Sequence, residues 1–199
     1  MTNHARMYRL GSHPGNVMER SRRQVSARCW IARRPSGPAV SAVRSTLAAA
    51  AVSTPELARR GWEAVGIDYV PAAIEAAAAK SRGVEGLRYV VGDVTRLESA
   101  HLGTFDFFLD IGCFQGLDVG QRLSLGRGVC ALANPGATVL LLSFGPSRWR
   151  WLVGGASREE VETAFAGWEM LAVEPADTAG LGWPMNKTAP RWYRLRRRT

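Results

Sequence analysis

The sequence predicts an α/β fold: a doubly wound, mostly parallel sheet with helices on both faces and an antiparallel hairpin at its C-terminal end. Three observations predict it. From Gly61 onward, short apolar runs alternate with helical patterns, which is how successive β-α-β units read. Several of those runs stop abruptly at an aspartate. The last two runs have no helix between them, so they pair as a hairpin.

Glu63–Ile67 is a short, mostly apolar run closed by Asp68, the reading of a buried parallel strand whose carboxyl end meets a ligand crevice. A helix is predicted over Pro71–Ser81, with proline in its first turn, where its missing N–H costs little. Gly83 and Gly86 punctuate the next turn. Leu87–Val91 is the second strand, ending in Gly92-Asp93. A short helical turn near Leu97–His101 precedes the strand Phe105–Asp110, closed by a third acid. The helix Val119–Ala133 stops at Asn134-Pro135-Gly136, a strong turn signal, before the apolar strand Thr138–Ser143. Ser157 and Glu160 have capping-box spacing and open a helix running to about Ala166. Glu169–Val173 and Arg191–Arg196 close the sheet. Upstream, Glu56–Arg60 reads as a helix end stopped by Gly61. Met1–Val43 shows no sustained period and reads as irregular and mobile, so the chain divides into an irregular basic segment, residues 1–55, and a domain, residues 56–199.

The 199 residues suit one domain, and 46% hydrophobic residues support a core. No apolar run approaches the ~18 residues that span a bilayer, and no secretory signal is read. Cys29, Cys113 and Cys130 form neither a disulfide framework nor a metal spacing, which points to a reducing cytoplasm and to no metal. The net charge is +9. Residues 1–50 carry nine arginines against one acid, Glu19, for +8, and the remaining 149 residues balance 17 basic against 16 acidic for +1. The basicity therefore belongs to the N-terminal segment, read either as a nucleic-acid-binding arm or as an arginine-rich leader.

Asp68, Asp93 and Asp110 are three acids at strand ends. In a parallel sheet such ends share one edge, so the three are expected to line one cleft beside the topological switch point; a solvated strand-end acid is the bland alternative for each. Here the chain resembles the class I S-adenosylmethionine-dependent methyltransferases, which share a Rossmann-like sheet. The matching residues are Ala64-Val65-Gly66-Ile67-Asp68, Tyr89-Val90-Val91-Gly92-Asp93-Val94, Phe105-Asp106 leading to Asp110-Ile111-Gly112-Cys113-Phe114, and Asn134-Pro135-Gly136-Ala137. The resemblance covers about Glu56 to Arg198. It implies S-adenosyl-L-methionine as cofactor, with Asp68 and its neighbour Tyr69 at the ribose. It implies Asp93 at the adenine amino group, with Gly92 and Val94 beside the ring, and Asp110, Ile111 and Cys113 under the methionine moiety. It also implies in-line displacement at the sulfonium methyl, driven by proximity in a closed dry pocket.

The family's first strand and glycine-rich loop, Asp-Leu-Gly-Cys-Gly-Ser/Thr-Gly, should lie just before Leu57. This chain has Ser45-Thr46-Leu47-Ala48-Ala49-Ala50-Ala51-Val52-Ser53-Thr54-Pro55 there, with no glycine between Gly37 and Gly61. Every alanine codon is GCN, so consecutive alanines shifted by one base read NGC, which encodes Gly, Cys, Ser or Arg. In the shifted frame Arg44–Pro55 permits Leu-Asp-Leu-Gly-Cys-Gly-Ser-Gly-Val-Asn-Ala. A frameshift near Pro55 is therefore expected, against the alternative of coincidence, and residues 1–55 would then be out-of-frame.

Other residues read more plainly. Cys113 is a buried small hydrophobe rather than a nucleophile, and His101 is a surface residue at a helix end. Arg148-Trp149-Arg150-Trp151 is either an aromatic lid on the acceptor or a nucleic-acid or membrane patch. Arg194–Arg198 is solvated charge. The segment after Asp110 lacks the Pro-Pro turn that holds a flipped base, and the domain's charge is small, so a small acceptor is favoured over DNA or RNA. The rival readings are an inactive remnant with the same fold, nucleic-acid binding through the basic arm, and, more weakly, a dinucleotide oxidoreductase.

Overall fold

The computed structural model describes residues 28–33, 54–147, 154–179, 181–183 and 185–198. The described residues form seven strands: β1 (Arg28–Arg33), β2 (Glu63–Asp68), β3 (Leu87–Val91), β4 (Phe105–Ile111), β5 (Ala133–Ser143), β6 (Trp168–Pro175) and β7 (Arg191–Arg197). They make one sheet in the order β3-β2-β1-β4-β5-β7-β6. The helices are α1 (Thr54–Arg59), α2 (Pro71–Lys80), α3 (Val119–Leu132) and α4 (Arg158–Ala164), with short 3-10 turns at Val94–Ala100, Phe114–Gly116 and Met185–Lys187.

β2 and β4 are buried on both faces, which is why their sequences run apolar rather than alternating. On one face Ile31, Val65, Phe108, Leu141, Val161 and Trp168 join the larger core under α3 and α4. On the other face Ala32, Ala64, Phe107, Leu109 and Leu140 pack with Leu57 of α1. Helices thus cover both faces, and β6 and β7 close the sheet as the expected antiparallel pair. α3 carries Gly126 where a Cβ would stand 1.8 Å from the Ala164 carbonyl oxygen, so this helix meets α4 backbone to backbone.

Two expectations need correction. The Asn134-Pro135-Gly136 signal does not separate helix from strand. β5 already starts at Ala133, opposite Phe105, and the irregularity is absorbed as a register shift before Thr138 meets Phe107. Gly136 takes φ +74 there, and Asn134 donates to Asp106 at 3.0 Å.

The second correction is larger. Arg28–Arg33, inside the stretch read as irregular and mobile, is a strand in the middle of the sheet. β1 pairs with β2 and with β4, antiparallel to both. Ile31 and Ala32 are fully buried, and Arg33 pairs with Glu63. Strands β2 to β6 run one way; β1 and β7 run the other. The central slot is therefore filled, but in the reverse polarity to its neighbours. The glycine-motif stretch before Thr54 and the Arg148–Trp151 cluster lie outside the described residues, as does the rest of residues 1–53.

Candidate functional site at the carboxyl edge of the sheet

The three strand-end acids do share an edge. Asp110 and Ile67 lie opposite the same residue of β1, Cys29, and Asp68 is one step further along β2. Asp68 is level with Val91, the last residue of β3, and Asp93 follows two residues on.

Each acid also organises the turn that follows it. Asp68 is half-buried, and its Oδ1 accepts the Val70 N–H at 2.9 Å, aiming the chain into α2. Asp93 is exposed, and its Oδ1 accepts the Thr95 N–H at 2.9 Å and the Thr95 hydroxyl at 2.7 Å, capping the 3-10 turn. Asp110 is 5% exposed and turned inward, onto the Cys113 and Phe114 amides. Burial drives its carboxyl pKa from 3.8 up to about 7, and those two N–H donors oppose the shift.

The neighbouring predicted residues divide by exposure. Tyr69 is 54% exposed beside Asp68. Gly92 is half-buried, with Ile67 Cγ2 3.5 Å from where a Cβ would stand. Val94 is buried in the larger core, so it anchors the Asp93 turn from below. Ile111 packs against the smaller core and Cys113 against the larger. His101 is exposed, in a left-handed conformation at the end of its 3-10 turn. Among the described residues no cluster of His, Cys, Asp and Glu suits a metal, and no helix is long and apolar enough to cross a membrane.

Sequence reasoning missed the latch that joins the loops after β4 and β5. Arg122, on α3 and buried, donates to the carbonyls of Phe114 at 3.1 Å, Gln115 at 3.1 Å and Gly155 at 2.9 Å. It pairs with Glu160 at 3.0 Å, and its guanidinium lies 4.9 Å from the centre of the Phe114 ring. Gln115 Oε1 accepts the Phe144 N–H at 2.7 Å. The loops approach so closely that a Cβ at Gly154 would stand 2.6 Å from the Gln115 carbonyl oxygen. The Gly154-Gly155 doublet is the one trace of this in the sequence; an arginine on a helix looks like solvated charge.

Comparison with known proteins bears on the fold. Residues 48–140 match the family model described as a methyltransferase domain. A 90-residue stretch is 32% identical to the 2-heptyl-1-hydroxyquinolin-4(1H)-one methyltransferase of Mycobacteroides abscessus, covering 44% of this chain and 39% of that one. This chain thus aligns with about two fifths of that relative's length. Among solved structures, the N-methyltransferase NodS of Bradyrhizobium japonicum superposes with a TM-score of 0.55 at 15% identity, over 67% of this chain and 72% of that one. A Methanosarcina mazei structure described as an S-adenosylmethionine-dependent methyltransferase gives 0.55 at 18% identity, over 67% and 81%. The 1,6-didemethyltoxoflavin-N1-methyltransferase of Burkholderia thailandensis gives 0.52 at 16% identity, over 68% and 61%. These structural likenesses concern the fold: the sheet is the Rossmann-like sheet of those methyltransferases, and residues 48–140 carry the match to a methyltransferase domain.

Proposed function

We propose that the chain carries out S-adenosylmethionine-dependent methyl transfer to a small molecule. The observation that carries the reading is the pair Asp68 and Asp93, at or just past the carboxyl ends of adjacent parallel strands, each using Oδ1 in its own turn. An ionised carboxylate can accept several hydrogen bonds, so Asp68 is suited to the ribose hydroxyls and Asp93 to the adenine amino group. Asp110 acts through the backbone, holding the Ile111–Cys113 turn where the methionine end would lie. When bound, the cofactor supplies an electrophilic methyl group on a sulfonium.

The nucleoside side of that bed fits; the strand beside it does not. No glycine-rich turn precedes α1 in this sequence, and the slot such a strand would use holds β1 in reverse. That mismatch favours a second reading, a domain with the fold and without useful cofactor affinity.

A small acceptor is supported by the near-neutral charge of the domain, by the absence of a Pro-Pro turn after Asp110, and by relatives named for small heterocycles. That Cys113 and Cys130 are thiols accords with a reducing cytoplasm. Calorimetric titration with S-adenosylmethionine tests the cofactor reading: saturable binding lost in Asp68→Ala supports it, and no heat of binding favours the silent domain. Labelled S-adenosylmethionine supplied with a metabolite extract in one tube and total nucleic acid in another tests the acceptor.

A further inference from the structure

In a right-handed β-α-β unit, the strand that precedes a crossover helix runs parallel to the strand that follows it. α1 packs against β2 and β3 and leads directly into β2. The slot next to β2 should therefore hold a parallel strand ending just before Thr54. Instead it holds β1, which runs the other way and leaves the slot at Arg33, opposite Glu63 at the amino end of β2. Twenty residues then separate Arg33 from Thr54. The residues directly before α1, Ser45–Ser53, include four consecutive alanines, Ala48–Ala51. Codons of this stretch, read one base out of frame, permit Leu-Asp-Leu followed by a glycine-rich turn. The family match begins at residue 48, inside this same stretch.

We infer that the central slot belongs to a parallel strand encoded in the shifted frame, and that a one-base displacement near the codon of Pro55 has removed it from this chain. Arg28–Arg33 takes the slot because β2 and β4 otherwise present two rows of unpaired backbone groups in the middle of the sheet, where any apolar segment that pairs is held. Ile31 and Ala32 suffice to fill the space, since both are fully buried there. The shifted strand would deliver the chain to the carboxyl edge beside Asp68 and Asp110, with glycines at the turn. There a backbone without Cβ atoms can approach a nucleoside closely. This deepens the cofactor reading above and rests on it only for the binding measurement below.

The codons decide first. The shifted glycines require the codons of Leu47, Ala49 and Ala51 to end in G, and the shifted cysteine requires that of Ala48 to end in T. A read of the DNA with those bases is expected; any other base ending the Leu47, Ala49 or Ala51 codon overturns the inference. The second measurement compares the chain as it stands with the frame-corrected chain. The corrected chain is expected to unfold at a higher urea concentration, to protect the new strand's amides from exchange, and to bind S-adenosylhomocysteine at least tenfold more tightly. A corrected chain that unfolds at lower urea overturns the inference. A corrected chain that is more stable but binds no S-adenosylhomocysteine upholds the frame and overturns the cofactor reading.

Discussion

Asp110 receives the backbone N–H of Phe114 on both carboxylate oxygens, at 3.0 and 3.3 Å, and that of Cys113 on one, at 2.8 Å. The bonds favour the ionised form and burial favours the neutral one; burial wins, which leaves the carboxyl titrating near pH 7. This turn lies at the same strand edge as Asp68, so its geometry and its protonation are linked.

Stability is expected to fall as pH rises from about 4 to 7. The unfolded carboxyl titrates at 3.8 and the folded one at about 7, so in that window the folded chain holds a proton that the unfolded chain has lost. The loss is on the order of 2 kcal/mol between pH 5 and 7 and levels off above. Urea unfolding midpoints across this range check it. Asp110→Asn, which keeps an acceptor for the two amides, should remove that slope; an unchanged slope would show that another group titrates.

Arg122→Met should cost about 3–5 kcal/mol, because it removes three hydrogen bonds to buried carbonyls, two of which keep only a backbone N–H, and the ion-pair partner of half-buried Glu160. Arg122→Lys should lose roughly half of that, since an ammonium lacks the planar fork. Amide exchange at Phe144 and Gly155 should quicken in both variants. Protection unchanged from the parent would mean that the two loops are held by other contacts.

Gly126→Ala raises helix propensity yet should destabilise by about 1–3 kcal/mol, because the new Cβ meets the Ala164 carbonyl oxygen. Gly120→Ala on the same helix meets only Asp118 Oδ1, at 3.5 Å, and should stabilise by roughly 0.5 kcal/mol. Thermal melts of the two variants should therefore shift in opposite directions. Equal shifts would deny the close contact of α3 with α4.

Asp68→Asn and Asp93→Asn, made in the frame-corrected chain, should each weaken S-adenosylhomocysteine binding about tenfold or more, by loss of charge-assisted hydrogen bonds. The capping bonds to Val70 and Thr95 survive in an asparagine, so unfolding midpoints should move little. Binding unaffected by both changes would remove the nucleoside assignment.

Elements written in local chemistry were legible in the sequence. The Ser157 capping box is made as expected: Ser157 donates its N–H to Glu160 at 2.8 Å, and the Glu160 N–H returns to the serine hydroxyl at 3.3 Å. Acid-terminated β2 and β4 were legible because burial on both faces forces continuous apolar runs, and the end of burial is abrupt. Gly61, at φ +81, stops α1 as its sequence suggested. What failed was what depends on distant partners. β1 is six residues flanked by arginines, and only pairing with β2 and β4, far along the chain, makes it a strand. Asn134-Pro135-Gly136 looks like a turn until Phe105 supplies a partner for Ala133. Arg122 reads as surface charge until three carbonyls from two loops converge on it.

The central position of β1 also governs how the chain tolerates shortening. A cut at residue 54 would follow the apparent boundary between a basic leader and a regular domain. It would also split the sheet into a two-stranded ribbon, β3-β2, and a four-stranded piece, β4-β5-β7-β6. Each piece would bear an interior edge with unpaired N–H and C=O groups and apolar side chains on both faces. Such edges recruit strands from other molecules. The shortened chain should accordingly form concentration-dependent aggregates visible by light scattering, and an added peptide able to pair between β2 and β4 should suppress them.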